Sequence, residues 1–462
     1  MAEKLDLDLA SMFEARQAAR RAGEAQKQLN SLDAEGVDRI LAAMAAAGQA
    51  AAAELARLTV EETGMGVYEH KVFKNRFASA SLYEVIKPEK TVGVIWHDRE
   101  KKLFGVAEPV GVIAAPVPVT GPAATVFFKS MIAMKGRNAI VFSPHPRAVK
   151  STAAAAAVMN QAAIAAGAPA DVIQCLEKVS LAATNELMRN PNVALILGTG
   201  GPAMVRAAYS AGKPAIAVGP GNVPSYVDES AEDLPSLAQK VIESKTFDNG
   251  TPCASEQALV VHKAVANQVK MELRRQGAHF LEPEEKDRLV KFLIGPDGGM
   301  NSGAVGKSAV VLAQMAGLHV SASCRALVAE VSEVGAKEPY SAEILAPVLA
   351  FYRVDTWQEG LARCNQILEH GGLGHSCSVW TTRDEVMAAF ATGARAFRLL
   401  VNCPTAFGAM GHLTSLNPSF MLGTGSWGGS ITSDNVGPHH LINVRRVAYG
   451  TRSSEKLSLN GG

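Results

Sequence analysis

The chain has almost no net charge: 45 Lys and Arg stand against 44 Asp and Glu over 462 residues. A nucleic-acid or anionic-membrane partner calls for a surplus of basic residues, and this balance supplies none. A small molecule is the expected partner. The charged first 21 residues lack the apolar centre of a signal peptide. The uncharged run 109–128 is broken by Pro109, Pro116, Pro118 and Pro122, which excludes a spanning helix. Cysteine is sparse, with six residues at 175, 253, 324, 364, 377 and 403 and no C-x-x-C pair. That spacing excludes a zinc knuckle and a disulfide framework and fits reduced thiols in the cytoplasm. Metal-ligand spacing is also missing. His439 and His440 are adjacent, and His370 and His375 are one residue too far apart for one helix face. No metal is expected. Internal repeats are absent.

What is present is alternation. Helical spacing of small and apolar residues predicts helices over 8–29, 33–53 and 55–75. Apolar runs at 92–96 and 103–107 flank the polar turn 97–102 and predict a projecting hairpin. From 110 to 218, five short apolar runs alternate with helical stretches at 123–135, 150–166, 182–190 and 202–211. This is the pattern of a doubly wound parallel sheet. A second α/β set begins after Asp228, with helices near 234–247, 263–276 and 284–293 and strands at 258–261, 326–331, 347–352 and 377–382.

Three segments carry candidate chemistry. Residues 246–257, Thr-Phe-Asp-Asn-Gly-Thr-Pro-Cys-Ala-Ser-Glu-Gln, put Cys253 in a turn between a helix and an apolar strand. A thiol there stays accessible while backbone N–H groups face its substrate, as an acyl-transferring nucleophile requires; a buried cysteine in an ordinary turn is the plain alternative. Gly198-Thr199-Gly200-Gly201-Pro202 follows a strand and opens a helix, where free N–H groups attract phosphate. As a pattern it is weak, because the acidic residue expected about 20 positions on is missing. Residues 301–308 resemble a P-loop, but Asn301 stands where its first glycine belongs and the preceding 295–299 stretch is turn-like, so ATP and GTP are excluded there. Glu343 stands just ahead of the strand 347–352 and suits ribose hydroxyls, although such a residue is more often simply solvated.

Taken in order, Glu62-Thr63-Gly64-Met65-Gly66, Ser143-Pro144-His145-Pro146, Thr199-Gly200-Gly201, Val218-Gly219-Pro220-Gly221-Asn222, the 246–257 segment, Glu343 to Pro347 and Gly425-Ser426-Trp427-Gly428-Gly429 resemble the CoA-acylating aldehyde dehydrogenases over about 55–448. The resemblance implies an α/β fold with a Rossmann-type cofactor domain (1–90 and 108–227), an α/β catalytic domain (228–430) and a small oligomerisation β-element (91–107 with 431–453). It implies Cys253 as nucleophile and NAD and coenzyme A as partners of a short aldehyde. Ser143, Pro144 and His145 match the adenosine side, Thr199, Gly200 and Gly201 the pyrophosphate side, Gly219 the cofactor site more broadly, and Glu343 the nicotinamide ribose. A homodimer or homotetramer is implied through the hairpin and a C-terminal strand at 441–448. Arg147 and Lys150 suit a phosphate, either the 2′-phosphate of NADP or the 3′-phosphate of CoA; NAD is the expected choice.

Two local features bear on the chemistry. Hydrolytic relatives carry a glutamate that activates water where this chain has Val218-Gly219-Pro220-Gly221-Asn222, with neither carboxylate nor imidazole. Water is then a poor nucleophile, whereas a thiol ionising near ~8.5 needs little help. The family's oxyanion-stabilising asparagine is replaced: residues 118–122 read Pro-Val-Thr-Gly-Pro, with Gly121 in its place and Thr120 as a candidate donor. Substrate identity stays open between a short aliphatic aldehyde and an anionic one such as succinic semialdehyde or sulfoacetaldehyde. Hydrolytic release and a catalytically silent scaffold are the alternatives. No linker-plus-helix tail that would direct the chain to a microcompartment is visible, so free cytoplasm is expected.

Overall fold

The computed structural model describes residues 2–295 and 300–451. The turn expected at 295–299 and the end of the 431–453 segment thus fall wholly or partly outside the described residues. Alanines let the first helices pack closely: Ala2–Leu29 and Ala34–Thr63 bury Ala15, Ala19, Ala22, Ala52 and Ala56. The second helix opens on Asp33, whose side chain accepts the Gly36 N–H, and it runs unbroken to Gly64. This corrects the expected break near residue 54. Nothing there interrupts the backbone ladder, whereas Gly64 and Gly66 adopt left-handed φ angles of 64° and 83° that favour glycine. The next helix is only Tyr68–Arg76.

The hairpin forms from β1 (Gly93–Asp98) and β2 (Leu103–Pro109), paired antiparallel. Five parallel strands follow: β3 (Val112–Pro116), β4 (Ile140–Ser143), β5 (Ile173–Cys175), β6 (Val193–Thr199) and β7 (Ala215–Val218), in the order β5-β4-β3-β6-β7. The winding direction reverses between β3 and β6, which opens a crevice at the C-terminal ends of these strands. Lys129, fully buried, ties that crevice together by donating to the carbonyls of Pro116 and Leu197, each at 2.8 Å.

The second sheet has seven parallel strands. They are β8 (Val223–Val227), β9 (Glu256–His262), β10 (Ala278–Phe280), β11 (Ala326–Glu330), β12 (Val348–Val354), β13 (Gly374–Trp380) and β14 (Ala396–Val401), in the order β10-β11-β12-β9-β8-β13-β14. Because β8 belongs here, the chain changes sheets at 219–222, ahead of residue 228. β8, β10 and β14 were not foreseen from the sequence, and β13 starts earlier than the expected 377. The final strand, β15 (Ile442–Ala448), pairs antiparallel with β2 and completes a three-stranded sheet. Among the described residues, no helix is long and apolar enough to cross a membrane.

The chain leaves the C-terminal end of β7 and enters the N-terminal end of β8 through residues 219–222. The C-terminal edge of the first sheet and the N-terminal edge of the second are thereby joined across one cleft.

Candidate active site

The turn carrying Cys253 is built by an unusual run of backbone. After the helix Leu234–Thr246, residues Asp248, Asn249 and Gly250 all have positive φ, at 52°, 54° and 70°. Such conformations cost energy for residues with side chains and persist only where the surroundings enforce them. Here the Asp248 carboxylate does so. Its Oδ1 accepts the Val67 N–H at 3.0 Å, and its Oδ2 accepts from Lys71 Nζ at 2.6 Å, Lys74 Nζ at 2.8 Å and Thr251 Oγ1 at 2.8 Å. Its own N–H donates to His70 Nδ1 at 2.8 Å. Burial would raise the Asp248 carboxyl, but the two ammonium groups overcome this and hold it down to about 2. At Gly250 a Cβ would fall 2.6 Å from the Ala346 carbonyl oxygen, so this turn can approach the loop after Glu343 only as glycine.

Beyond this anchor, Cys253 is half-buried, with Sγ 3.3 Å from Nε2 of His375. His375 lies fully buried near the start of β13. Its Nδ1 meets Ser376 Oγ at 3.1 Å, and that oxygen also accepts from Arg398 Nε at 3.2 Å. Arg398 is itself locked, donating to the carbonyls of Ser433 at 3.0 Å and Gly423 at 2.6 Å. Burial, then the carboxylate of Glu343, push the Cys253 thiol up to about 12. Burial, then Arg398, push His375 down to about 3. The pair therefore rests as neutral thiol and neutral imidazole at pH 7.

The crossing segment closes over this pair. A Cβ on Gly221 would sit 2.3 Å from the Cys253 carbonyl oxygen and 3.0 Å from the His375 ring, so only glycine lets the segment lie there. The Gly221 N–H donates to Glu343 Oε1 at 2.7 Å. Burial raises the Glu343 carboxyl to about 7, opposed by that N–H and by Lys245. Lys245 is buried on Gln257 Oε1 at 3.0 Å and the Ile344 carbonyl at 3.2 Å, and burial lowers its ammonium to about 7.

The residues singled out in the sequence divide into two groups. Cys253, Glu343 and the 219–222 segment converge. Thr120 and Gly121 lie against two unforeseen lysines that bond Asp248: the Thr120 carbonyl accepts from Lys71 Nζ, and the Cβ position of Gly121 is 3.2 Å from Lys74 Nζ. The others line the C-terminal edge of the first sheet. Thr199 ends β6 with its hydroxyl buried and without a partner, and a Cβ on Gly201 would meet open space. Ser143 ends β4 and shares a 2.8 Å hydrogen bond with Thr184; Pro144 follows, and His145 Nδ1 accepts the Arg147 N–H at 3.1 Å. An orphan hydroxyl beside open glycine backbone at a helix start fits a pyrophosphate.

His375, Lys74, Lys71 and Arg398 escaped the sequence reading. His375 entered it only as a mismatched partner of His370 in metal spacing; the available signal was an imidazole between Gly374 and Ser376 at the head of an apolar run. The pair His439–His440 stands with Asp434, their ligand atoms within 4.8 Å, on a largely exposed corner. There the His440 ring already bonds the Gly437 N–H at 3.1 Å.

Known proteins resemble this chain along most of its length. The profile of the aldehyde dehydrogenase family matches residues 5–284. An aldehyde–alcohol dehydrogenase of Clostridium acetobutylicum is 44% identical over 432 residues, which is 92% of this chain and 49% of that protein. The chain thus spans about half the length of that curated relative. An acetylating aldehyde dehydrogenase from Geobacillus thermoglucosidasius superimposes with a TM-score of 0.95 at 46% identity, covering 96% of this chain and 98% of the other. A propionaldehyde dehydrogenase from Rhodopseudomonas palustris, solved with CoA and an acylated cysteine, gives a TM-score of 0.84 at 28% identity over 94% and 97% of the two chains. This chain belongs to the aldehyde dehydrogenase family.

Proposed function

We propose that the chain is a CoA-acylating aldehyde dehydrogenase that oxidises a short aldehyde with NAD to an acyl-CoA, reversibly. The observation that carries the reading is the 3.3 Å contact between Cys253 and His375, roofed by a segment that holds no base. The Nδ1–H tautomer of His375, donating to Ser376, leaves the Nε2 lone pair facing the thiol. Nε2 takes the proton as Sγ adds to the aldehyde carbon and the carbonyl electrons move to oxygen. NAD, when bound, supplies the hydride acceptor. Re-forming the carbonyl as hydride departs leaves a thioester on Cys253. Thr199, Gly200, Gly201 and Gly219 would hold the pyrophosphate, Glu343 the nicotinamide-side ribose, and Ser143, Pro144 and His145 the adenosine.

Release follows from basicity. Residues 218–222 hold no carboxylate or imidazole to activate water, whose pKa is ~15.7. CoA, with a thiol near ~8.5, delivers its own thiolate. That thiolate attacks the thioester carbon and expels the Cys253 thiolate, which recovers its proton from the imidazolium. The R. palustris relative, with bound CoA and an acylated cysteine, supports this route. NAD over NADP is favoured by Glu62, whose carboxylate caps the helix Val149–Ala165 by accepting from Lys150 N, Ser151 N and Ser151 Oγ, all at 2.7 Å, and so repels a further phosphate there. Assembly into at least a dimer is favoured by the unpaired edges of β1 and β15, with Val94 and Trp96 exposed, and of β14, with Phe397 and Val401 exposed.

The test is NADH formation from propionaldehyde and NAD with and without CoA. Strict CoA dependence is expected. Sustained turnover without CoA would establish hydrolytic release, and no turnover with any aldehyde would leave a scaffold. Light scattering reads the assembly, a single ~48.5 kDa species being the result against it.

A further inference from the structure

The backbone at Gly121 does not demand glycine. Its φ is −160°, extended, and it caps the helix Pro122–Lys135 without a side-chain bond. What occupies the space of the missing side chain is Lys74, with Nζ 3.2 Å and Cε 3.5 Å from the Cβ position. The side chain of Lys74 is only 7% exposed. Its one hydrogen bond among the described residues goes to Asp248 Oδ2 at 2.8 Å, which leaves donors unspent on an ammonium that carries three. The neighbouring cations are more fully engaged. Lys71 bonds both Asp248 and the Thr120 carbonyl, and each guanidinium nitrogen of Arg398 has an acceptor. Two ammonium groups against one carboxylate also leave one positive charge in a buried place.

Asp248 ties this charge to the chemistry from both sides. Through Lys71 it holds the Pro118–Pro122 loop, and through Thr251, two residues before Cys253, it holds the nucleophile's turn. Arg398 and Lys74 are the cations whose charge eases ionisation of the thiol.

We propose that Lys74 donates, through the space left by Gly121, to the oxyanion formed when Cys253 adds to the aldehyde, together with the Cys253 backbone N–H. This rests on the acylating reading above. Lys74 then replaces the side-chain amide that the resemblance leads one to expect at residue 121.

The experiment is a double-mutant cycle on the full chain, following kcat and KM for propionaldehyde and succinic semialdehyde with NAD and CoA, with thermal melts alongside. Lys74→Met should lower kcat about 100-fold, the loss typical of one oxyanion donor, equally for both aldehydes and with little change in KM. Gly121→Asn alone puts its Cβ 3.2 Å from Lys74 Nζ, in the space through which the lysine donates, and should not raise kcat, because the amide displaces the ammonium rather than adding a donor. Adding Gly121→Asn to Lys74→Met should recover at least tenfold, which a merely structural lysine would not allow. A parent-like kcat for Lys74→Met, or no recovery in the double variant, overturns the proposal. So does a rise in KM confined to succinic semialdehyde, which would make Lys74 a contact for the substrate's carboxylate. If Lys74→Met does not fold, Gly121→Asn decides alone: a tenfold or greater rise in kcat would mean that the donor had been missing and that Lys74 does not supply it. A parent enzyme that needs no CoA would instead sink the acylating reading while leaving the cycle interpretable.

Discussion

Asp248 and Cys253 are five residues apart in one turn, the first buried and the second half-buried, and their electrostatics are opposite. Around Asp248 every charge has a counter-charge or a hydrogen bond, and the carboxylate stays ionised down to about pH 2. Around Cys253 burial is not compensated: the thiol is pushed up to about 12 and its imidazole down to about 3. The first environment keeps its carboxylate ionised by pairing it with two ammonium groups. The second is held neutral. One turn is thus pinned at Asp248 by a buried ionic cluster while its other end carries a neutral thiol beside a neutral imidazole.

Breaking the neutral side should have the largest effect. Cys253→Ala is expected to reduce NADH formation below one per cent of the parent, roughly the scale on which nucleophile loss is felt, with the melting curve and NAD binding retained. Substantial residual turnover would mean that another cysteine carries the chemistry. His375→Ala should lower kcat by about 10²–10⁴, the range for a lost general base. The deficit should shrink as pH rises, because more Cys253 is then ionised without help. A deficit constant from pH 7 to 10 would remove the imidazole from the proton's path.

Breaking the ionic side should instead appear in stability. Asp248→Asn leaves two buried lysines without their counter-charge and should cost about 3–5 kcal/mol in denaturant unfolding. Since the native carboxyl lies below its unfolded value of ~3.9, its contribution is fully present above that pH and is lost as pH falls through about 2. Parent and variant should therefore converge only in strong acid; a difference that instead disappears between pH 8 and 5 would contradict the assignment. The smallest effect is expected at Glu62. Replacing it with Gln should raise kcat/KM for NADP relative to NAD by about two- to fivefold, matching the ~0.3–1 kcal/mol of one charge at a helix start. An unchanged ratio would remove Glu62 from cofactor selection.

Much of this contrast has no local signature. Cys253 was legible because a long polar–glycine motif surrounds it, and Glu343 because it directly precedes a strand. Asp248 lies inside the same motif, yet its partners Lys71 and Lys74 are 177 and 174 residues away in sequence. On a helix such lysines look like a solvated face. His375 was obscured by its neighbours: β13 begins at Gly374, so the imidazole sits inside a buried strand rather than in the loop before it. The single long helix Ala34–Thr63 was split because small residues obscure the apolar stripe on which helix boundaries are judged.

The sequence by itself determined the alternation of strands and helices, the turn that carries Cys253, the absence of a base in residues 218–222 and the missing side chain at 121. Each of these is a property of neighbouring residues, set by periodicity or by the chemistry of one side chain. Only the tertiary structure decided that His375 is the partner of Cys253, that Glu343 holds the Gly221 N–H, and that Lys74 fills the space beside Gly121. Those contacts join the ends of different strands and helices. They exist because the chain crosses at 219–222 from the C-terminal edge of one parallel sheet to the N-terminal edge of another, and distance along the sequence carries no record of that crossing.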